Sequence, residues 1–87
     1  MAQTIDVVEM FKQAALEVDN RKLPNVTAAS VIATLGMDSV AIRELVSYFE
    51  EKLSIRIPDE ELTRIRTVAD LRDTIARLLP PGANIAV

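Results

Sequence analysis

The sequence predicts an all-α fold, a small four-helix bundle with three main helices, a short third helix and a long first loop. Three observations support this prediction. Apolar residues recur at helical spacing in three segments, turn-forming residues separate the segments, and no segment is convincing as a strand. The chain has 87 residues, which suits a single domain, and only 3% of them are aromatic, so the core must be mostly aliphatic.

The first helix is predicted over residues 4–18. Thr4 is expected to cap its start, and Asp6 suits the positive charge of the first helical turn. The segment 19–35 combines turn-forming residues with apolar ones. This predicts a long loop that packs across the bundle, with Ser30 opening a short turn of helix. The apolar stripe of the first helix is Val8, Phe11, Ala15 and Val18.

The second helix is predicted to begin at Asp38-Ser39 and to end near Leu53. Gly36 permits a sharp turn of the backbone just before it, and Asp38 is a favourable N-cap residue. One face of this helix carries a core stripe, and the opposite face is mostly polar. The core stripe is Ile42, Leu45, Val46, Phe49 and Leu53, and the opposite face is Val40, Glu44, Ser47 and Glu51.

The short third helix is predicted over residues 58–65, with Asp59 as its cap. A fourth helix follows a segment that resembles a capping box, in which the side chains of Thr67 and Asp70 each bond the backbone N–H group of the other. The apolar stripe of this last helix is Val68, Leu71, Ile75 and Leu78.

The domain is predicted to span residues 1–80, because Pro80-Pro81-Gly82 ends the last helix. Residues 81–87 are expected to form a flexible C-terminal tail. Charge is unevenly placed along the chain. Residues 1–61 have a net charge of −5 and residues 62–87 a net charge of +2, so the longer, acidic part is expected to attract basic partners.

The composition excludes several kinds of chemistry. The chain has no Cys and no His, so it can form no disulfide, no His-ligated metal site and no Cys- or His-based catalytic centre. A net charge of −3 without clustered Lys and Arg argues against nucleic acid as a partner. No apolar run approaches the roughly 20 residues of a membrane span. The N-terminus lacks the basic start of a signal peptide, which predicts a cytoplasmic protein.

The most informative stretch is Leu35-Gly36-Met37-Asp38-Ser39-Val40, because further segments follow it at characteristic distances. In this order and spacing the chain resembles the acyl carrier proteins, whose modified serine lies in an Asp-Ser-Leu-like motif at the start of the second helix. The resemblance covers about residues 5–79. The further segments are Glu44-Leu45-Val46, Phe49-Glu50-Glu51-Lys52, Ile57-Pro58-Asp59-Glu60-Glu61 and Ile65-Arg66-Thr67-Val68-Ala69-Asp70-Leu71.

The resemblance implies that Ser39 carries a 4'-phosphopantetheine arm, on whose thiol acyl groups are held as thioesters. The start of a helix suits this role, because its free N–H groups and positive dipole tolerate an anionic phosphodiester. A plain capping role for Ser39 is the alternative. The resemblance also implies that Asp38 helps the modifying enzyme to place its metal ion, and that a cavity between the helices can take up the acyl chain. It implies no permanent metal site and no catalytic residue in this chain.

The resemblance further implies partner enzymes that recognise the second helix. These are a phosphopantetheinyl transferase and the enzymes that load and process acyl groups, of the ligase, ketosynthase, acyltransferase or thioesterase type. A monomer without nucleic-acid or membrane partners is expected. For the exposed glutamates, a merely solvated face is the alternative. The predicted recognition residues are Asp38, Val40, Glu44, Ser47, Glu50 and Glu51.

The chain departs from the family pattern close to this helix. Ala33-Thr34 stand where the family often has two acidic residues, Ala41 replaces a frequent Asp, and Arg43 replaces an apolar residue. Residues 38–53 keep a net charge of only −2. This weak acidity predicts a poor substrate for general fatty-acid enzymes, so polyketide and other specialised biosynthesis stay open beside fatty acid biosynthesis as the pathway.

Other functions are less favoured by the sequence. A peptidyl or aryl carrier of a nonribosomal peptide pathway has the same serine and bundle. Such carriers usually have a second Gly or a His where this chain has Met37 and Asp38. An interaction module that had lost the modification would not need Ser39. An independent enzyme is least favoured, because only carboxylates, hydroxyls, Lys and Arg are available for chemistry.

Overall fold

A computed structural model of the chain describes residues 4–79 and 84–85. In this part of the chain, four α-helices pack around one core, and one pair of very short strands joins the two ends. The predicted all-α bundle, with three main helices and a short third helix, is confirmed. The helices are α1 (Val7–Asp19), α2 (Ser39–Leu53), α3 (Asp59–Leu62) and α4 (Val68–Leu78), and the strands are β1 (Thr4–Ile5) and β2 (Asn84–Ile85).

Strands β1 and β2, which the sequence does not predict, bring the two ends of the described chain together. They pair in parallel over two residues each, which is too short a segment to show the alternation typical of strands. The predicted tail therefore includes paired residues at 84–85, whereas residues 81–83 and 86–87 lie outside the described part. The flexibility of the tail stays a prediction. Thr4 lies opposite Asn84, and Ile5 lies opposite Ile85.

Helix α1 starts after Asp6, so the prediction that Thr4 caps it is wrong. The Asp6 backbone is extended, and its carboxylate accepts a hydrogen bond from the Glu9 backbone N–H at 3.1 Å. Thr4 lies in β1, which leaves the cap to the next favourable residue along the chain. At the other end, Asn20 has a left-handed φ of 48°, and its N–H donates to the Ala15 carbonyl and closes the helix.

The first loop, residues 20–38, is fastened to the start of α4 by backbone hydrogen bonds. The Ile32 N–H donates to the Arg66 carbonyl at 2.8 Å, and the Ala69 N–H donates to the Ala28 carbonyl at 2.8 Å. Apolar residues of the loop are also buried in the core. The prediction that this loop packs across the bundle is therefore confirmed. The buried loop residues are Val26, Ile32 and Met37.

Two other predicted helix starts are wrong in detail. The Ser30 hydroxyl accepts a hydrogen bond from the Thr27 N–H at 2.9 Å, so it stabilises a turn within the loop and does not cap a helix. A 3-10 turn begins two residues later, at Ile32–Thr34. Asp59 is already the first residue of α3. Pro58 precedes it at φ −63° and makes no side-chain bond to the helix.

The capping box at the start of α4 is confirmed. The Thr67 hydroxyl accepts from the Asp70 N–H at 3.1 Å, and the Asp70 carboxylate accepts from the Thr67 N–H at 3.0 Å. The same carboxylate also accepts from the Arg66 N–H at 3.0 Å. The backbone hydrogen bonds from Thr67, and then from Arg66, hold the pKa of Asp70 below its ordinary value of 3.8, because they stabilise the ionised carboxylate.

The core lies between α1, α2 and α4. Its largest side chains come from all three helices and have almost no exposed surface. Burying one such side chain stabilises the fold by about 1.5–3 kcal/mol, so α2 is held in place mainly by its apolar face. The largest fully buried side chains are Phe11, Phe49, Leu45, Leu71, Ile75, Val7 and Val68.

Asp70→Asn should weaken the response of the protein to acid. The folded pKa of Asp70 lies below 3.8, so its carboxylate adds stability above that pH, and this stability is lost as the pH falls through the folded pKa. We expect urea unfolding between about pH 6 and about pH 2 to show a smaller loss of unfolding free energy in Asp70→Asn than in wild type.

Asp73→Asn is the matched control, because it removes an exposed carboxylate of the same helix that pairs with the Arg72 side chain. The weakened acid response should be specific to Asp70→Asn. Equal acid responses in Asp70→Asn and wild type would contradict the role given to the capping box.

Candidate functional site

The chain turns sharply towards α2 at Gly36. Its φ of 84° lies in the left-handed region that favours glycine, as the sequence predicts. A Cβ atom at this position would lie 3.0 Å from the Nη1 atom of Arg21, so a larger residue would also crowd that guanidinium. Gly36 therefore sets the direction in which the chain reaches Asp38 and Ser39.

Asp38 caps α2 with its side chain, as predicted. Its backbone is extended, and its Oδ1 atom accepts a hydrogen bond from the Ala41 N–H at 2.7 Å. A carboxylate at this end of a helix is also favoured by the helix dipole. Since Asp38 makes the cap, Ser39 is the first residue inside the helix, and its own hydroxyl is not needed for capping.

The surroundings of Ser39 fit the phosphopantetheine group that the resemblance implies. Ser39 is exposed, and within the described residues its hydroxyl takes part in no hydrogen bond. A group attached to this oxygen would extend into solvent, next to the positive end of a helix of 15 residues. An anionic phosphodiester is tolerated at such a position because of the unpaired N–H groups of the first turn.

A cavity of about 400 Å³ opens directly beside Ser39. It lies between the first loop, α2, α3 and the start of α4. Buried apolar side chains form its inner wall, which suits hydrocarbon, and exposed residues form its rim. The inner wall includes Ile32, Leu45, Val46 and Leu71, and the rim is Val31, Ala33, Ser39, Arg43 and Arg66.

The two arginines on this rim were not identified as site residues by sequence reasoning. Arg43 follows Ser39 by four residues, a spacing that places both on one side of a helix and that could have identified it. No local signal identifies Arg66. It reaches the rim only because the first loop is hydrogen-bonded to the start of α4, where the Ile32 N–H meets the Arg66 carbonyl.

The predicted recognition residues lie along the outer side of α2, and all but one are exposed. Val40 is 65% exposed, which is unusual for a large apolar side chain in this chain. Their role in partner recognition stays a prediction. The exposed members are Asp38, Val40, Glu44, Ser47 and Glu51.

Glu50, the remaining predicted recognition residue, is half-buried and makes an internal contact. Its Oε2 atom accepts a hydrogen bond from the Ile57 N–H at 2.8 Å. Ile57 is itself buried, so this bond fastens the segment before α3 to the last turns of α2. Glu50 therefore has a structural role that the sequence did not indicate.

Ala41 does not belong to the exposed surface, which corrects the interpretation of this position. It is only 5% exposed, because it faces the core next to Leu45. An aspartate there would bury a charge, so its absence says little about partner recognition in this chain. The other departures from the family pattern are exposed, namely Ala33, Thr34 and Arg43. The lower negative charge of this surface, compared with the family pattern, is therefore attributed to these three positions and not to Ala41.

Neither a metal site nor a membrane-spanning helix is present among the described residues. Across 4–79 and 84–85, no group of three or more His, Cys, Asp or Glu side chains is arranged to hold a metal ion. None of the helices in that part of the chain is long and apolar enough to cross a membrane.

Comparisons with known proteins agree with this geometry. A family model described as a phosphopantetheine attachment site matches residues 9–75. An acyl carrier protein of Syntrophobacter fumaroxidans is 45% identical over 49 residues, which cover 56% of this chain and 60% of that protein. The crystal structure of an acyl carrier protein from Thermotoga maritima matches with a TM-score of 0.76 and 33% identity, covering 83% of this chain and 85% of that one.

Glu50→Ala should lower the free energy of unfolding by about 1–2 kcal/mol, because it leaves the buried Ile57 N–H without its partner. Glu51→Ala is the control, since Glu51 is the exposed neighbour and makes no such bond within the described residues. Its effect should stay below about 0.5 kcal/mol. Urea unfolding of both variants measures the difference, and similar values would show that the bond to Ile57 does not stabilise the fold.

Proposed function

Because the chain belongs to the acyl carrier protein family and contains that family's phosphopantetheine attachment domain, we propose that Ser39 is its attachment site. The observation that carries this proposal is the position of Ser39. Its free, exposed hydroxyl stands at the capped start of α2 and at the rim of an apolar cavity. We propose that the chain holds acyl groups as thioesters and passes them between enzymes, as a carrier and not as a catalyst.

The arm supplies the thiol that this chain lacks, since the sequence contains no Cys. The residues of the chain provide its support. Asp38 fixes the start of α2 through the Ala41 N–H, so the Ser39 oxygen has a defined position that a modifying enzyme can approach. The first-turn N–H groups of α2 favour the negative charge that the linkage brings.

The cavity supports a role in sheltering the acyl group. Its inner wall offers only hydrocarbon at Ile32, Leu45, Val46 and Leu71, and its rim includes Ser39 itself. Transfer of a methylene group from water into such surroundings is favourable by about 0.8 kcal/mol. Hydrocarbon acyl groups are therefore the cargo that best suits this cavity.

The outer side of α2 supports recognition by partner enzymes. These are a phosphopantetheinyl transferase and enzymes that load or process acyl groups. Glu44 and Glu51 are exposed there and would meet basic residues, while Val40 offers an apolar contact next to Ser39. Contacts of this kind mainly raise the association rate and give specificity, which suits a carrier that must leave each partner quickly.

The exposed charges near the attachment site indicate which kind of biosynthetic pathway the carrier serves. Arg43 is exposed on α2 and would repel a basic partner surface, and Ala33-Thr34 add no acidic charge. We therefore favour a carrier of polyketide or other secondary metabolism over one of general fatty acid biosynthesis. A monomeric state and a cytoplasmic location also belong to this proposal.

Ser39→Ala should abolish modification while keeping the fold, because the hydroxyl makes no internal hydrogen bond within the described residues. The measurement is the intact mass after incubation with coenzyme A and a phosphopantetheinyl transferase, with far-UV circular dichroism to check helicity. Ser54→Gly is the control, because it removes another exposed serine at a left-handed φ of 54° that glycine accepts. A phosphopantetheine mass gain in Ser39→Ala would show that another residue is modified.

Glu44→Lys and Glu51→Lys should slow acyl transfer by partner enzymes at low salt and leave far-UV helicity unchanged. One exposed ion pair is worth about 0.2–1 kcal/mol, so each change should reduce the rate by a few-fold and the effect should fade as salt screens the charges. Glu17→Lys is the matched control, because Glu17 is an exposed glutamate of α1. If all three variants transfer at the wild-type rate at low salt, Glu44 and Glu51 only solvate the surface.

A further inference from the structure

Two arginines from different parts of the chain converge on the rim of the cavity beside Ser39. Arg43 lies on α2, one helical turn after Ser39, and Arg66 lies just before α4. Both side chains are exposed, whereas the wall below them is apolar. The cavity therefore combines a hydrocarbon interior with positive charge at its opening.

Neither rim arginine forms an ion pair within the described part of the chain. Ion pairs there involve other basic residues, and no carboxylate pairs with the guanidinium of Arg43 or Arg66. Asp70 is the acidic group that faces Arg66. Its carboxylate accepts from the backbone N–H groups of Thr67 and Arg66, and these bonds, with a smaller contribution from the Arg66 charge, lower the pKa of Asp70. Both arginines line the same opening, so an anionic group held there would be attracted by two positive charges.

We infer that Arg43 and Arg66 form an anion-binding pair, hereafter the rim pair, for an anionic oxygen group of the arm or of its cargo. This inference rests on the proposed attachment at Ser39. Two sources could provide the anion: the phosphodiester on Ser39, or a carboxylate at the far end of a dicarboxylic acyl group. Both present oxygen atoms that a guanidinium binds through two parallel N–H donors.

The apolar wall limits how deeply a charged group can enter the cavity. The apolar wall can accept hydrocarbon but not an unpaired charge, because burying such a charge is strongly unfavourable. An anionic group must therefore stop at the rim, where the guanidinium groups are. The rim pair would then fix how deeply the arm or its cargo enters the cavity.

The test compares four forms of the wild-type chain: apo, holo, hexanoyl-loaded and adipoyl-loaded. The two acyl groups have the same chain length and differ only in a terminal methyl or carboxylate. The side-chain Nε–H resonances of Arg43 and Arg66 are recorded by NMR, and Arg64 is the internal control, because it is exposed but does not line the cavity. Intact mass establishes in every sample that Ser39 is modified.

If the phosphodiester is the ligand, the Arg43 and Arg66 resonances should shift between apo and holo forms and should be alike in both loaded forms. If the cargo carboxylate is the ligand, they should shift between the hexanoyl and adipoyl forms. Either result supports the rim pair, provided that Arg64 does not follow and that added salt reverses the shift.

A second measurement uses the double variant Arg43→Gln/Arg66→Gln and the control Arg64→Gln. If the cargo carboxylate is held, loss of the rim pair should speed hydroxylamine cleavage of the adipoyl thioester by about two- to five-fold relative to the hexanoyl thioester, since each exposed ion pair is weak. If the phosphodiester is held, both thioesters should be cleaved faster by a similar factor.

The rim pair is refuted if Arg43 and Arg66 shift no more than Arg64 in all four forms while Ser39 is fully modified, and the proposed carrier function would then still stand. If Ser39 gains no mass, the proposed function fails, and the inference that depends on it fails with it. The mass measurement distinguishes the two outcomes.

Discussion

The hydrogen bond from the Ala41 N–H to the Asp38 carboxylate, 2.7 Å long, fixes the residue at which α2 begins. If the helix began one residue later, Ser39 would be the N-cap residue, and its hydroxyl would be in the position to bond the first-turn N–H groups. The left-handed Gly36 lets the chain approach in the extended conformation that this cap requires. The position of Ser39, and with it the proposed attachment of the arm, depends on this short stretch of backbone.

The cavity depends on a second constraint, which acts between distant segments. Backbone hydrogen bonds tie the first loop to the start of α4, and they bring Ile32 over the cavity and Arg66 to its rim. Glu50 adds a similar tie, because its bond to the Ile57 N–H holds the segment before α3 against α2. A small chain can thus enclose apolar space without an extensive core, because loops as well as helices form the wall.

The features that could be predicted from the sequence depend on residues that lie only a few positions apart in the chain. Gly36, Asp38 and the core stripe of α2 act over a few residues, so their roles follow from spacing and residue type. The bond made by Glu50 and the rim position of Arg66 arise from contacts between segments that are distant in sequence, and spacing cannot reveal them. Ala41 precedes Leu45 by four residues and Phe49 by eight, so helical spacing could have placed it on the core stripe, where it is buried.

Locating the modification in the wild-type chain decides whether Ser39 bears the arm. The protein is incubated with coenzyme A and a phosphopantetheinyl transferase, digested, and fragmented in a tandem mass spectrometer. We expect one phosphopantetheine group per chain, on the peptide that contains Asp38-Ser39-Val40, with the fragment masses assigning it to Ser39. A phosphopantetheine group on any other residue, or a folded chain that gains none, would contradict this expectation.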